Sequence, residues 1–246
     1  MPVLVTREIR TRYRSSLLDL AWSAITPIVL LLVYGVILTQ SFHVTSAASP
    51  YLSSAWAGLV LWTAFGSAVG GGVSSLIASS DLITKVYLPL EAMPLAYVGA
   101  SLLDLGVGMT SLIVIALVQG VHLGPMSIVA VVPVVVLLVW SAVVAMFSAI
   151  LAVFVRDTIH VVHLVLRVGF FATPVMYETS FLPRSLAWTA KVNPVSAAII
   201  GLRDTLLRSV SPDWFVLVAQ LLVGLFGFML AVRYIRAVES RAVDVV

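Results

Sequence analysis

Two ionisable side chains, Asp104 and Arg167, interrupt otherwise apolar stretches of this 246-residue sequence. An arginine at the centre of a membrane helix costs about +2.5 to +3.5 kcal/mol on translocon scales, so each charge needs a partner, water or a route to the interface. Counted from the ends of their segments, both residues lie roughly 12 to 15 Å deep, at about 1.5 Å per residue. We therefore predict an intramembrane ion pair between them. Alternatively, Arg167 reaches the interface or a wet cavity, and Asp104 is protonated and bonded to a backbone carbonyl.

A second polar group, made of Asp157, His160 and His163, has the spacing of one helical face. Zinc needs three or four ligands with supporting hydrogen bonds, so a metal site or proton relay competes here with ordinary interfacial histidines. The sequence contains no G-x-S-x-G, H-E-x-x-H or G-x-x-x-x-G-K-S/T motif and no cysteine. We predict that the chain binds no metal, is not an enzyme, and depends on another chain for any ATP hydrolysis.

The composition is typical of a membrane protein. Hydrophobic residues make up 61% of the chain and charged residues 10%, and the mean hydropathy is +1.12, whereas about a quarter of a soluble domain is charged. No polar stretch is long enough to fold separately, so we predict one all-α membrane domain over residues 1–246. The net charge of +3 reflects arginines near the two ends, which indicates membrane topology rather than nucleic-acid binding.

Hydrophobic periodicity predicts an amphipathic interface helix at residues 3–18, followed by six spans. The basic face of the interface helix carries Arg7, Arg10 and Arg14; the alternative is a basic tail that only sets topology. The six spans are predicted at 20–38, 55–78, 95–118, 127–155, 159–177 and 214–234. A proline-bounded elbow at 80–94 separates spans two and three, and a segment at 178–212, cut by prolines, separates spans five and six.

The arginines at both ends indicate that both termini face the cytoplasm, which agrees with an even number of spans. The elbow and the turn at Arg156 and Asp157 then lie inside, and residues 178–212 lie outside. Four basic residues of that segment would lie on the wrong side, so we predict that it folds as short re-entrant or interfacial helices. A five-span topology, with the C-terminal arginines outside, is the alternative.

Small and aromatic residues allow two further interpretations. Gly66 and Gly70 of span two permit close helix packing, either within the bundle or between subunits. The tryptophans lie mostly near the predicted span ends, which is typical of an interfacial belt. Some aromatic residues instead suit the lining of a passage for sugars: Tyr34, Trp62, Phe65, Phe170, Phe171 and Tyr177.

Several stretches together resemble a known family over nearly the whole chain. They are TREIRTRYRSSLLDLAWSAITPIVLLLVY, the elbow VYLPLEAMPLA, the Arg-Asp pair at 156 and 157, FFATPVMY, the Asn-Pro pair at 193 and 194, and Arg203. In this order they resemble the membrane subunit of type-2 ABC exporters for polysaccharides and polyol phosphates, of the O-antigen, teichoic-acid or cell-wall galactan type. Thr158 departs from the isoleucine that commonly follows the Arg-Asp pair.

The resemblance implies half of a homodimeric channel in the bacterial cytoplasmic membrane. The partners would be a second copy of this chain, two ABC ATPase subunits that hold ATP and magnesium, membrane lipid and a lipid-linked glycan, with no cofactor in this chain. Residues that couple to the ATPase would be Asp81, Lys85, Tyr87, Leu88, Pro89, Leu90, Glu91, Arg156 and Asp157. Channel and gate residues would be Tyr34, Trp62, Phe170, Phe171, Pro174, Tyr177, Asn193, Pro194 and Arg203.

Three other functions stay open at the level of sequence. The same architecture suits a permease for drugs or small lipids. An intramembrane enzyme acting on a lipid would need Asp104, His160, His163 and Arg167 at one depth, whereas the histidines lie nearer the interface. An ion-coupled carrier would favour inverted internal repeats, and none is evident.

Overall fold

The computed structural model of the chain describes residues 4–8, 29, 51–83, 88–179 and 188–245. Within these ranges the regular secondary structure is helical, with no strand. Four stretches are long and apolar enough to cross a membrane: Tyr51–Ala78, Ala92–Val118, Pro125–Phe154 and Trp214–Glu239. The chain is therefore a multi-pass helical membrane protein, as its composition predicts. Predicted span one at 20–38 lies outside the described ranges except for residue 29, and so do the candidate residues Arg10, Arg14, Tyr34, Lys85 and Tyr87.

The described helices are numbered here in chain order. α1 is Tyr51–Ala78, α2 is Ser80–Ile83 and α3 is Ala92–Val118. After a 3-10 turn at Pro125–Ala130 come α4 (Val131–Phe154) and α5 (Thr158–Ala172). Two short helices, α6 (Thr189–Val192) and α7 (Pro194–Leu202), lead through a π-helical turn at Arg203–Leu207 to α8 (Trp214–Val245).

The helix at predicted span five ends earlier in the structure than the sequence pattern indicates. The prediction extends it to residue 177, whereas α5 ends at Ala172. Pro174 explains the difference, because a proline disfavours the helical conformation in the residue before it, and Thr173 is extended at φ −99° and ψ 141°. At 15 residues, α5 is short for a membrane crossing, so the chain leaves the helix while it is still within the bundle.

α1 is the central helix and packs against α3, α4 and α5. In its most apolar window 61% of the residues are buried, compared with 17% for α8. Small residues permit this packing in lipid, where close contact rather than the hydrophobic effect drives helix association. Gly72 of α1 lies against Ala145 of α4, and Gly108 of α3 lies against Val60 of α1. The other helices are thus arranged around α1.

Two clusters of buried apolar residues lie towards the two ends of α1. The first surrounds the beginning of α1 and includes Leu61, Leu137, Ile199 and Leu202. The second lies at the elbow end of the bundle and includes Leu76, Leu90, Met146, Ile150 and Ile235. Leu4 packs on this second cluster, and Val5 lies beside Gly99. Residues 4–8 and the second half of α8 therefore meet at the elbow end.

Large apolar side chains remain exposed along α3, α5 and α8, among them Val114, Leu164 and Phe226. Apolar surface of this extent is stable against hydrocarbon or another subunit rather than against water. The exposed faces therefore agree with a chain that is embedded in a bilayer.

The close approach of α1 and α4 gives a stability prediction. A Cβ atom at Gly72 would lie 2.7 Å from the Cβ of Ala145, which is held by helix backbone. We expect Gly72→Ala to push the helices apart and to lower the free energy of unfolding by about 1 to 3 kcal/mol, the usual cost of overpacking. Thermal unfolding of the detergent-purified protein measures this. Gly66→Ala is the control, because a Cβ there meets nothing within 4 Å; equal losses in both variants would contradict the packing.

Candidate functional site

A buried arginine organises the end of the bundle opposite the elbow. Arg203 is 2% exposed and donates to four backbone carbonyls. Its Nε bonds to Ser54 O at 2.9 Å, Nη1 to Pro174 O at 2.9 Å and Tyr177 O at 3.1 Å, and Nη2 to Val175 O at 2.7 Å. Three of these acceptors belong to residues 173–178, which we call the arginine-bound turn. One side chain thus joins that turn to the beginning of α1.

The arginine-bound turn needs such a donor because its backbone is not helical. Once the chain leaves α5 before Pro174, its carbonyls have no helical partners, and unsatisfied backbone groups at membrane depth cost several kcal/mol each (roughly 2 to 7). The planar guanidinium presents five N–H donors in a fixed fork. Burial lowers the pKa of Arg203 to about 10, so the side chain remains a cation at neutral pH.

Local sequence places Arg203 at the end of a well-capped helix. Asn193 Oδ1 accepts from the backbone N–H groups of Val195 and Ser196 at 3.0 and 3.4 Å, and thereby caps α7. Its Nδ2 donates to Thr173 Oγ1 at 2.9 Å. The cap of α7 and the beginning of the arginine-bound turn are thus held by one side chain. The π-helical turn that follows α7 starts at Arg203 itself; such turns often occur at functional positions.

Gly58 allows the backbone of the arginine-bound turn to reach α1. A Cβ at Gly58 would lie 2.1 Å from Val175 O and 2.9 Å from Arg203 Nη2. Beside it, the Tyr51 hydroxyl donates to Met176 O at 3.0 Å. The absence of a side chain at Gly58 is therefore a condition for the arginine contacts.

Charges around the arginine-bound turn are balanced by carboxylates. Glu178 accepts from Ser54 Oγ at 2.9 Å and forms an ion pair with Arg208, which also bonds to Asp204 at 2.8 Å. Partial burial raises the pKa of Glu178, but the hydrogen bond and charge of Arg208, the Ser54 hydroxyl and the charge of Arg203 outweigh it and lower the pKa below its ordinary value. A lowered carboxyl pKa stabilises the folded protein at pH values above the ordinary pKa of the group. This contribution is lost as the pH falls through the lowered pKa.

The basic residues of segment 178–212, which sequence analysis finds difficult to place, are therefore accounted for where the structure describes them. Arg203 is buried and hydrogen-bonded to backbone carbonyls. Arg208 forms ion pairs with Glu178 and Asp204. Lys191 forms an ion pair with Asp213 at 3.4 Å. The fourth, Arg184, is outside the described ranges.

The aromatic candidates divide into packed and exposed rings. Trp62 of α1 contacts Phe65 and Phe170, with ring centroids 5.9 and 6.0 Å apart, and Phe170 contacts Phe171 at 5.2 Å. Trp62 and Phe170 pack on the apolar cluster around α1, whereas Phe171 is exposed. The Tyr177 hydroxyl donates to Phe171 O at 3.1 Å. Two of the candidates thus fix α5 to α1, and their role in lining a passage stays a prediction.

The structure does not bring Asp104 and Arg167 together. Asp104 Oδ2 accepts from Ser67 Oγ of α1 at 3.0 Å, and Arg167 is exposed on α5. Among the described side chains no ion pair joins the two. Asp104 thus meets a polar partner within the bundle, whereas Arg167 points away from it.

The polar residues near the beginning of α5 also lie on the surface. Arg156, Asp157, His160 and His163 are all exposed. The part of the chain that the structure describes contains no group of three or more His, Cys, Asp or Glu side chains that could hold a metal ion.

At the other end of the bundle, the elbow folds onto the chain's own core. Leu90 and Met93 are buried in the elbow-end cluster, and Leu88 packs on it in part. Glu91 is 8% exposed, and its Oε1 accepts from Arg236 Nε at 3.0 Å and Nη2 at 2.8 Å. In this conformation Leu90 and Glu91, predicted to contact a partner, face inwards, while Asp81 and Pro89 are exposed.

Sequence analysis misses Arg236, which it treats only as a topology signal. The sequence pattern assigns Leu90 and Glu91 to contacts with a partner, and only the structure shows that Glu91 is buried beside Leu90 and needs a cation from this chain. The arginines beyond span six are the candidates that reach the same end of the bundle.

Comparison with known proteins places the chain in a family. Residues 1–207 match the family described as ABC-2 type transporter. Since the match covers well over half of the sequence, the chain belongs to that family, and it is a membrane component of a transporter.

Curated relatives are similar over most of the chain. A Myxococcus xanthus protein named O-antigen export system permease protein RfbA is 33% identical over 179 residues, which are 72% of this chain and 67% of that protein. Two Klebsiella pneumoniae proteins of the same name are 25% and 23% identical over 208 and 210 residues, covering 84% and 85% of this chain and 79% and 80% of theirs.

The four carbonyl bonds of Arg203 predict that lysine cannot replace it. A lysine keeps the charge but offers one nitrogen instead of a planar fork. Several carbonyls therefore lose their donor, and each unsatisfied carbonyl costs about 1 to 3 kcal/mol of stability. We expect Arg203→Lys to lower thermal stability in detergent strongly, by about 3 kcal/mol or more. Arg208→Lys, at an exposed ion pair, serves as the control and should change stability by less than about 1 kcal/mol. Similar midpoints for the two variants would contradict the arrangement.

Proposed function

We propose that the chain is the channel-forming permease of an ATP-driven exporter that moves a lipid-linked polysaccharide across the bacterial cytoplasmic membrane. The observation that carries this proposal is the similarity, over 72% to 85% of the chain, to three proteins named O-antigen export system permeases. Two copies form the channel, and each works with a separate ABC ATPase subunit. ATP and magnesium are held by those subunits, in agreement with a sequence that lacks a phosphate-binding loop.

The proposed topology has six spans and both termini in the cytoplasm. It is supported by the meeting of residues 4–8 and the second half of α8 at the elbow end, since an even number of crossings returns the chain to its starting side. Arg7 and the C-terminal arginines then lie inside, as the positive-inside rule requires. The arginine-bound turn lies at the outer face, where paired or buried basic residues do not violate that rule.

In this proposal the outer segment acts as a gate. Helices α6 and α7, the π-helical turn and the arginine-bound turn are too short to cross a bilayer, yet α7 and the two turns pack into the apolar cluster around α1. Re-entrant backbone of this kind is tolerated where protein buries its polar groups. Arg203, Asn193 and Gly58 provide that burial, so they shape the gate without contacting the glycan.

The passage is proposed to run along α5. Arg167 lies in the middle of this helix and is exposed, and a guanidinium at membrane depth requires water or protein rather than lipid tails. His160, His163 and Phe171 are also exposed on α5. A wet passage between two copies satisfies the charge and offers an aromatic surface to sugar rings.

ATP binding reaches the permease through the elbow in this mechanism. The exposed residues Asp81 and Pro89 are presented to the ATPase, while Leu90 and Met93 anchor the elbow in the core of the chain. A displacement of the elbow is therefore transmitted to the helices that share its apolar cluster, and the two copies rock to open the channel.

The function is tested by purification of the chain with its cognate ATPase and reconstitution into vesicles. We expect two copies of each subunit, and ATP hydrolysis that a lipid-linked polysaccharide stimulates and that accompanies its movement across the membrane. Stimulation by small lipids or drugs, with no response to the glycan, would favour the alternative class of type-2 permease and contradict the proposal.

Anchoring of the elbow predicts the effect of Leu88→Ala. The smaller side chain weakens the packing of the elbow on the core. The loss is about 2 kcal/mol or less, since Leu88 is only partly buried. We expect export in a complementation assay to fall several-fold, about 2- to 30-fold by analogy with other coupling elements, while ATP hydrolysis persists. Leu117→Ala, at an exposed position of α3 that lies outside the proposed passage, is the control for a lost leucine. Undiminished export by Leu88→Ala at normal protein levels would contradict the proposed role of the elbow in coupling.

A further inference from the structure

α8 is attached to the rest of the chain at both of its ends. Near its beginning, Gln220 Nε2 donates to the carbonyls of Lys191 and Val192 at 2.9 Å each, and Leu217 lies against Gly201 of α7. Near its other end, Arg236 bonds to Glu91 of the elbow. The same helix thus contacts the short helices α6 and α7 and the elbow, which lie at opposite ends of the bundle.

Between these attachments α8 packs mainly on α4. Trp140 Nε1 of α4 donates to Gln220 O at 3.0 Å, and about half of the described side chains of α8 are exposed. A helix packed on one neighbour can shift along it more readily than α1, which is enclosed by three. At 32 residues, α8 is also a continuous rod of about 48 Å, long enough to connect the two ends.

The Glu91–Arg236 pair is the polar attachment at the elbow end. Glu91 is nearly buried, and both Arg236 donors converge on one of its oxygens. Arg236 itself is 66% exposed at the side chain, so its removal leaves little empty space but leaves the Glu91 carboxylate without this partner. Arg233, one turn earlier, is also exposed and makes no ion pair among the described residues.

We propose that Arg236 is a positioning residue that makes α8 move with the elbow, so that displacement of the elbow is carried along α8 to α6 and α7. The inference rests on the proposed export function, since it assigns one route by which the ATPase would act on the outer segment. Arg236 acts through Glu91 and α8 and contacts neither ATP nor glycan.

Arg236→Gln and Arg233→Gln test the proposal as a matched pair. Both remove one positive charge from the same helix end, but only the first removes the partner of Glu91. In reconstituted complexes with the cognate ATPase we expect Arg236→Gln to lower glycan exported per ATP hydrolysed by about 2- to 30-fold, the range for weakened coupling elements. We expect Arg233→Gln to match the unmodified chain. Equal coupling ratios in the two variants would overturn the proposal.

A second measurement does not depend on transport. The chain has no cysteine, so spin labels on Pro89→Cys and Ala237→Cys, both at exposed positions, report the distance between elbow and α8. We expect a narrow distance distribution in the labelled parent and with Arg233→Gln, and a broadened one with Arg236→Gln. An unchanged distance distribution in Arg236→Gln would overturn the proposal that Arg236 holds α8 to the elbow.

The two readouts separate failure of this inference from failure of the proposed function. If the unmodified complex exports no glycan, the proposed function fails, and the label distances still decide whether Arg236 holds the elbow to α8. If the complex exports glycan and Arg236→Gln neither broadens the distances nor changes the coupling ratio, this inference alone is wrong.

Discussion

The structure depends on a mutual requirement between a buried cation and a non-helical turn. Arg203 is buried in a largely apolar bundle, and the carbonyls of Pro174, Val175 and Tyr177 lie where no helix satisfies them. Either feature alone would cost several kcal/mol (roughly 2 to 7 for each unsatisfied group). Together they satisfy each other, and they fix α7, the arginine-bound turn and the beginning of α1 as one body.

Other features follow from that body. Gly58 has no side chain because the turn passes against α1, and Asn193 both caps α7 and contacts the turn. The early end of α5 at Pro174 creates the turn in the first place. At the opposite end the elbow is anchored in the same way, by apolar burial of Leu90 and one polar attachment.

The helical membrane class is predictable from the sequence because hydropathy reports directly on membrane helices, and the family is predictable from the order of its motifs. The family resemblance selects Arg203, Asn193 and Pro174, but it does not show that Arg203 bonds to Pro174 O or that Asn193 bonds to Thr173. Those contacts join residues as distant as Ser54 and Arg203, and periodicity carries no information about such pairs. The same limit explains the unformed pair between Asp104 and Arg167: equal depth is predictable, whereas the direction each side chain faces depends on how α3 and α5 pack around α1.

The central claim is that the arginine-bound turn is a packed part of the bundle rather than a surface loop. Hydrogen exchange of the protein in nanodiscs, followed by mass spectrometry, tests it directly at the level of short peptides. Peptides covering residues 173–178 should exchange clearly more slowly than the turn at 120–124, because residues 173–176 are buried although they are not helical. Exchange of 173–178 as fast as the exposed turn at 120–124 would contradict the account.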